Sequence, residues 1–146
     1  MKNIHLHLAT AILIVVTGVS AQAQSRNRQQ MHFTAPFTFN VGNSQLPAGE
    51  YTVQVINPTS DHAVLQFRNV SGQASAMVRT TEIVGWANSK GKLNFRHYGD
   101  QYFLAQVWMA GEADGLATQT SNAEKTLRQQ VGQKSGLFSM VAINAR

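Results

Sequence analysis

Apolar and polar residues alternate along most of this chain with the two-residue period of half-buried strands. The clearest run sets Phe33, Ala35, Phe37, Phe39 and Val41 between His32, Thr34, Pro36, Thr38 and Asn40. Pro36 has no N–H to give to a ladder, so this strand should lie at an edge or break there. Leu46-Pro47-Ala48-Gly49 suits a type I turn, and Glu50 to Ile56 follows with Tyr51, Val53 and Val55 on one face. Asn57 to Asp61 is a turn cluster, Ala63 to Val70 the next strand, and Ser71-Gly72 the turn into Ala74 to Thr80. Glu82 to Ala87 reads as a separate short strand with a bulge at Gly85, and Ala110 to Gly115 as a loop.

The densest aromatic stretch, Lys92 to Met109, has the pattern of a β-hairpin. Its turn chemistry and its hydrophobic pattern disagree. Gly99-Asp100 suits a two-residue II′ loop, which pairs His97 with Tyr102 and Phe95 with Leu104. A three-residue loop, Gly99-Asp100-Gln101, pairs Tyr98 with Tyr102 instead. That register gathers Leu93, Phe95, His97, Phe103, Ala105, Val107 and Met109 on one face. A buried face fixes register, because a slip of one residue turns every side chain over. The three-residue loop is therefore the expected one. Arg96, Tyr98, Tyr102, Leu104 and Trp108 then face away from the core.

The period changes near the C-terminus. Ser121 is a good N-cap, Glu124 stands at the capping-box position, and Ala123, Leu127 and Val131 form an apolar stripe. A helix over about residues 121–132 is expected, ending at Gly132. The segment 137–143, Leu-Phe-Ser-Met-Val-Ala-Ile, is apolar on both strand faces. It reads as a last core strand, or as an element that pairs with another sheet edge by strand addition. Short strands at this spacing predict an all-β fold: an antiparallel β-sandwich or flattened barrel of about 7–8 strands with one C-terminal helix.

The N-terminus predicts export of this domain from the cytoplasm. Lys2, an apolar run from Leu8 to Val19 and Ala21-Gln22-Ala23 form the three parts of a signal peptide, in order. Residues 1–23 are expected to be removed and 24–31 to be a flexible polar leader to a single domain over 32–146. No cysteine is present. The fold is thus without disulfides, thiol catalysis or Cys-based zinc sites. Loss of Lys2 with the signal peptide lowers the net charge from +5 to +4, and the basic residues are scattered. Without a basic stripe, nucleic acid is not an expected partner.

Catalytic signatures are missing from the sequence. His97 and Asp100 are spaced as H-x-x-D but flank a turn, whereas a metal site needs three or four converging ligands. Asp61 and His62 are neighbours whose side chains point apart. No nucleophile elbow, zincin motif or phosphate-cradling loop occurs. Neither an enzyme, a metal nor a cofactor is expected. The aromatic residues are the better lead. Arg96, Tyr98, Tyr102 and Trp108, with Trp86 nearby, would form a face suited to sugars or other amphipathic ligands. Alternatively the helix covers this face, with Leu127 and Val131 packed on Leu104 and Trp108.

The chain resembles a group of small exported proteins common in acidobacteria. The resemblance rests on Ala35-Pro36-Phe37-Thr38-Phe39-Asn40-Val41-Gly42 followed by Leu46-Pro47-Ala48-Gly49-Glu50-Tyr51-Thr52-Val53. It continues through Phe95 to Leu104, Val107-Trp108 and Ser121 to Glu124, with Ala35 where the group's pattern has a larger Val. It implies an exported β-rich domain and supplies no activity. The expected function is that of a non-catalytic envelope or extracellular protein, periplasmic or secreted, acting by binding or assembly. Its partner would be a glycan, a lipid, a protein or a second copy met through the apolar C-terminal segment. One alternative is a carrier of a small lipid or glycan, with Phe33, Phe37, Phe39 and Phe95 lining a barrel pocket. Another is a small outer-membrane β-barrel, against which Arg68, Arg79 and Arg96 within strands argue.

Overall fold

In the computed structural model, residues 30–58, 62–131 and 138–146 are described. The first apolar run is two strands. β1 (Gln30–Ala35) ends before Pro36 and β2 (Phe39–Val41) begins beyond it. β1 pairs antiparallel with β4 (Gly49–Val55), while β2 pairs with β3 (Ser44–Leu46) and runs parallel to β8 (Gln101–Trp108). Gln30 and Met31, expected in the leader, belong to β1, and Met31 is buried. At the β3–β4 turn the Tyr51 hydroxyl donates to Pro47 O at 2.7 Å.

One strand joins the two halves of the sheet. β6 (Ser75–Val84) pairs through Ser75–Arg79 with β5 (Val64–Asn69) and through Thr80–Val84 with β9 (Asp114–Thr118). The separate strand expected from Glu82 is thus the end of β6. Gly85 is not a bulge; its N–H donates to Ala113 O at 3.0 Å. Part of the loop expected over Ala110 to Gly115 is the start of β9. β8 is the junction of the second half. One edge carries β7 (Lys92–Tyr98), and the other carries β2 at Tyr102–Phe103 and β9 at Gln106–Trp108. β10 (Phe138–Asn144) pairs with β7.

The result is a ten-stranded mixed sheet with one helix, α1 (Asn122–Val131), near the C-terminus. All-β with a C-terminal helix is therefore correct. β9 and the short pair β2–β3 raise the strand number above expectation. The ends of the sheet approach each other at one residue pair: His32 N–H donates to Arg146 O at 3.2 Å and Arg146 N–H to His32 O at 2.8 Å.

Aromatic rings fill the space between the halves. Phe39 is fully buried and meets Phe33, Tyr51, Phe67 and Phe95 with ring centroids 6.0, 5.2, 6.4 and 5.4 Å away. Phe37 sits edge-on to Phe95 at 5.5 Å. The four phenylalanines that would line a carrier's pocket thus pack on one another.

The hairpin has the two-residue loop, not the three-residue one. Tyr98 pairs with Gln101, His97 with Tyr102 and Phe95 with Leu104. Gly99 has φ +62° and, among the described residues, no non-glycine residue has positive φ, as a II′ turn requires. The extra residue demanded by the hydrophobic pattern lies within β8. Phe95 pairs with Leu104 but Asn94 with Gln106, so Ala105 is bulged. Leu93, Phe95, Leu104 and Val107 consequently all enter the main core. Phe103, expected on the core face, stands opposite Arg96 on the outer face.

Candidate functional site

The outer face of β7 and β8 holds most of the sequence-predicted binding residues, and the structure divides them. Arg96 and Tyr98 lie at the turn end, beneath α1. Glu124, in the first turn of the helix, is 1% exposed. Its Oε1 is 2.5 Å from Arg96 Nε, an ion contact, and its Oε2 accepts a hydrogen bond from Arg96 Nη2 at 3.1 Å. The Tyr98 hydroxyl donates to Oε1 at 3.1 Å. Ser121 Oγ accepts from the Glu124 N–H at 3.2 Å, so Ser121 is the N-cap expected. The reciprocal half of a capping box does not form, because the Glu124 carboxylate is committed to the sheet.

The bulge explains Arg96. Displacing Ala105 takes carbonyls out of the regular ladder, and buried carbonyls need donors. Arg96 Nη2 donates to Leu104 O at 3.2 Å, and the Thr118 hydroxyl donates to the same oxygen and lies 3.3 Å from Ala105 O. Arg96 therefore ties the bulge to the helix. Burial, and then the Glu124 charge and hydrogen bond, raise the Tyr98 phenol above its ordinary value; Arg128 and Arg96 oppose the shift. Tyr98 also meets Phe103 at 6.0 Å and Phe138 at 5.3 Å, forming a small second core under the helix.

The apolar helix stripe plays less part than expected. Ala123 is exposed and Leu127 half-buried; the Val131 side chain lies outside the described residues. Leu104 is buried on the opposite side of the sheet, within the main core. The helix is anchored chiefly by its carboxylate.

Tyr102 belongs to the inner side. Its ring stacks on Phe37 at 3.7 Å and on His97 at 4.2 Å, both nearly parallel, so it has a partner on each face. His97 Nδ1 is 3.2 Å from Ser139 Oγ, whereas Asp100 is exposed in the turn. Among the described residues, no group of three or more His, Asp or Glu side chains is placed to hold a metal ion.

Trp108 stands at the far end of the same outer face. It is half-buried, and its indole lies against two glycines of neighbouring strands. A Cβ on Gly115 would fall 2.7 Å from the ring carbons Cδ2 and Cε3, and one on Gly85 2.5 Å from Cζ3. Only glycine lets the ring lie this flat across β9 and the end of β6. Its Nε1 donates to Gln106 Oε1 at 3.3 Å, and Gln106 Oε1 also accepts from Asn94 Nδ2 at 2.9 Å. The sequence linked neither glycine to Trp108; two glycines opposite an aromatic on paired strands was the available signal. Trp86 is 88% exposed and lies beyond the end of β6, apart from the Trp108 ring's contacts. The five predicted residues thus do not form one surface: Arg96 and Tyr98 lie under the helix, Tyr102 in the inner stack, Trp108 on Gly85 and Gly115, and Trp86 exposed in the segment after β6.

β10 is the other exposed feature. It is an uncharged strand with Phe138 57% and Met140 50% exposed. One edge pairs with β7 along its length; on the other side β1 runs close by, and among the described residues the backbone hydrogen bonds between them are those of the His32–Arg146 pair, just beyond the end of β10. A cavity of about 240 Å³ lies at that pair, lined by His32, Thr34, Glu50, Tyr51, Asn144 and Arg146 among others. No protein-family model, curated protein or solved structure matches the chain.

Proposed function

We propose that this is an exported, non-catalytic protein of the periplasm or cell exterior that works by binding or assembly, with β10 as its contact strand. The observation that carries the reading is the edge of β10 that, among the described residues, no strand pairs. Exposed edges are normally blunted by charge, proline or a bulge, and β10 has no charge and no proline between Phe138 and Asn144. An extended strand added there would continue the sheet through backbone hydrogen bonds, with Phe138 and Met140 supplying side-chain contacts. Export is supported by the order of Lys2, the apolar run and Ala21-Gln22-Ala23. The membrane-barrel alternative fits less well. Spanning strands need about nine to eleven residues, and β2 and β3 have three each.

The test is sedimentation of the mature chain over a wide concentration range, with fractionation of the producing cells. The reading expects an exported protein whose self-association, or capture of an added β10 peptide, is abolished by Met140→Lys. A protein retained in the cytoplasm, or one that stays monomeric and ignores the peptide, refutes it.

A further inference from the structure

The strands around Trp108 bring together more than an aromatic ring. Cross-strand register places Asn144, Lys92, Trp108, Gly115 and Ile83 in one row across the outer face. The next row is Ala142, Asn94, Gln106, Ala117 and Thr81. Neither row contains a carboxylate. One face of the indole rests on Gly85 and Gly115, so the opposite face is the one left to solvent. The hydrogen bond to Gln106 fixes the ring's rotation. The outcome is a flat, immobilised aromatic surface edged by two amides, Asn94 and Gln106, and one ammonium, Lys92.

We infer that this is a binding platform for an acidic polysaccharide, a chain of pyranose rings bearing carboxylates. The negative face of an indole attracts the C–H groups on the apolar side of a pyranose. Amides offer donors and acceptors together, which is what ring hydroxyls require. A flat sheet face, unlike a closed pocket, accepts a ligand that continues in both directions. Lys92 is the charge of the two rows that has no ion-pair partner among the described residues, and the mature chain's net charge is +4, so the charge complement is an anion. Glu124 neutralises Arg96 in the row beyond and so takes no part. This site is separate from the β10 edge, and either can fail without the other.

The experiment uses the mature chain carrying Trp86→Phe, which leaves Trp108 as the sole tryptophan reporter. Polygalacturonate is titrated while indole emission is followed, with dextran as the uncharged comparison. The expected result is a saturable emission change with polygalacturonate that weakens as salt is raised. Gln106→Ala and Asn94→Ala should each weaken binding by about tenfold, and Lys92→Gln should remove most of the salt dependence. Asn94→Ala and Lys92→Gln keep the Gln106–Trp108 hydrogen bond, whereas Gln106→Ala also frees the ring's rotation; circular dichroism verifies the fold of each variant. No emission change with polygalacturonate overturns the inference, as does binding unaffected by Gln106→Ala and Asn94→Ala. Equal, salt-independent binding of dextran overturns the acidic ligand.

Discussion

Removing the Glu124 carboxylate should free the helix from the sheet. The group is 1% exposed and makes an ion pair with Arg96 and a hydrogen bond with Tyr98. Breaking a buried pair by deleting one partner costs about 3–5 kcal/mol, because the other charge is left uncompensated. The Arg96 side chain is 19% exposed, so water can solvate part of the guanidinium, and it keeps its bond to Leu104 O. The cost therefore falls toward about 3 kcal/mol, with about 1 kcal/mol more for the stranded Tyr98 hydroxyl. A single domain has about 5–15 kcal/mol of stability in total. Glu124→Ala should thus be measurable in urea and should not prevent folding. Arg96→Ala should cost at least as much, since it strands a buried carboxylate and also removes a donor from Leu104 O.

Two assays separate a latch from a general weakening. Urea unfolding gives the global loss, and amide exchange of residues 122–131 gives local release of α1. The expected pattern is faster exchange throughout the helix, while the strands β4 and β5 keep their protection relative to global stability. In the double variant Arg96→Met/Glu124→Leu no charge is left unpaired, and the loss should be well below the sum of the single losses. A loss under about 1 kcal/mol for Glu124→Ala, the range of a solvent-exposed pair, with unchanged helix exchange would refute the latch.

Gly115→Ala should lift the Trp108 ring, shift its emission and cost about 1–3 kcal/mol by overpacking; adding Trp108→Ala to that variant should recover much of the loss. Phe39→Ala, at the meeting point of four other rings, should cost about 3–5 kcal/mol in urea unfolding. The phenols of Tyr98 and Tyr51 are both raised, chiefly by burial, above 10.0. A folded-state value above the unfolded one gives stability that is complete below about pH 10 and is lost as pH rises toward the folded values. The urea midpoint should therefore fall above pH 10, and Tyr98→Phe should flatten that fall; an unchanged slope would count against the burial argument.

Much of the fold was readable because it follows from period and turn chemistry. Pro36 divided the first run, Gly72 and Gly99 formed their turns, and Ser121 capped the helix. The hairpin register was not readable, for a definite reason. The hydrophobic pattern of residues 92–109 requires one extra residue in β8 but does not say where. A longer loop and an internal bulge restore the same alternation near Val107, and they differ from Tyr102 to Ala105. Those are the residues whose faces were exchanged. The turn chemistry of Gly99-Asp100 was the better guide, since it is local. β9 was missed because Asp114-Gly115-Leu116-Ala117-Thr118 has little strand propensity of its own. Its pairing with β6 and β8 makes it a strand.

The two ends of the outer hairpin face are built on opposing principles, which bears on where a ligand could sit. At the turn end, Glu124 and Tyr98 are buried and the Glu124 carboxylate is held by the Arg96 guanidinium and the Tyr98 hydroxyl. Nothing can enter without displacing α1. At the other end, glycine stands in or beside two strands, where each weakens the strand by about 0.5–1 kcal/mol relative to alanine. The Trp108 ring is what those glycines accommodate. If covering an apolar face were the helix's whole role, its stripe would reach toward Trp108. Instead a single carboxylate fixes α1 over Arg96 and leaves Ala123 in solvent. The helix thus closes the end that needs its bulge satisfied and leaves the indole uncovered. Moving Glu124 to alanine should loosen the first end without changing Trp108 emission, which would show the two ends to be independent.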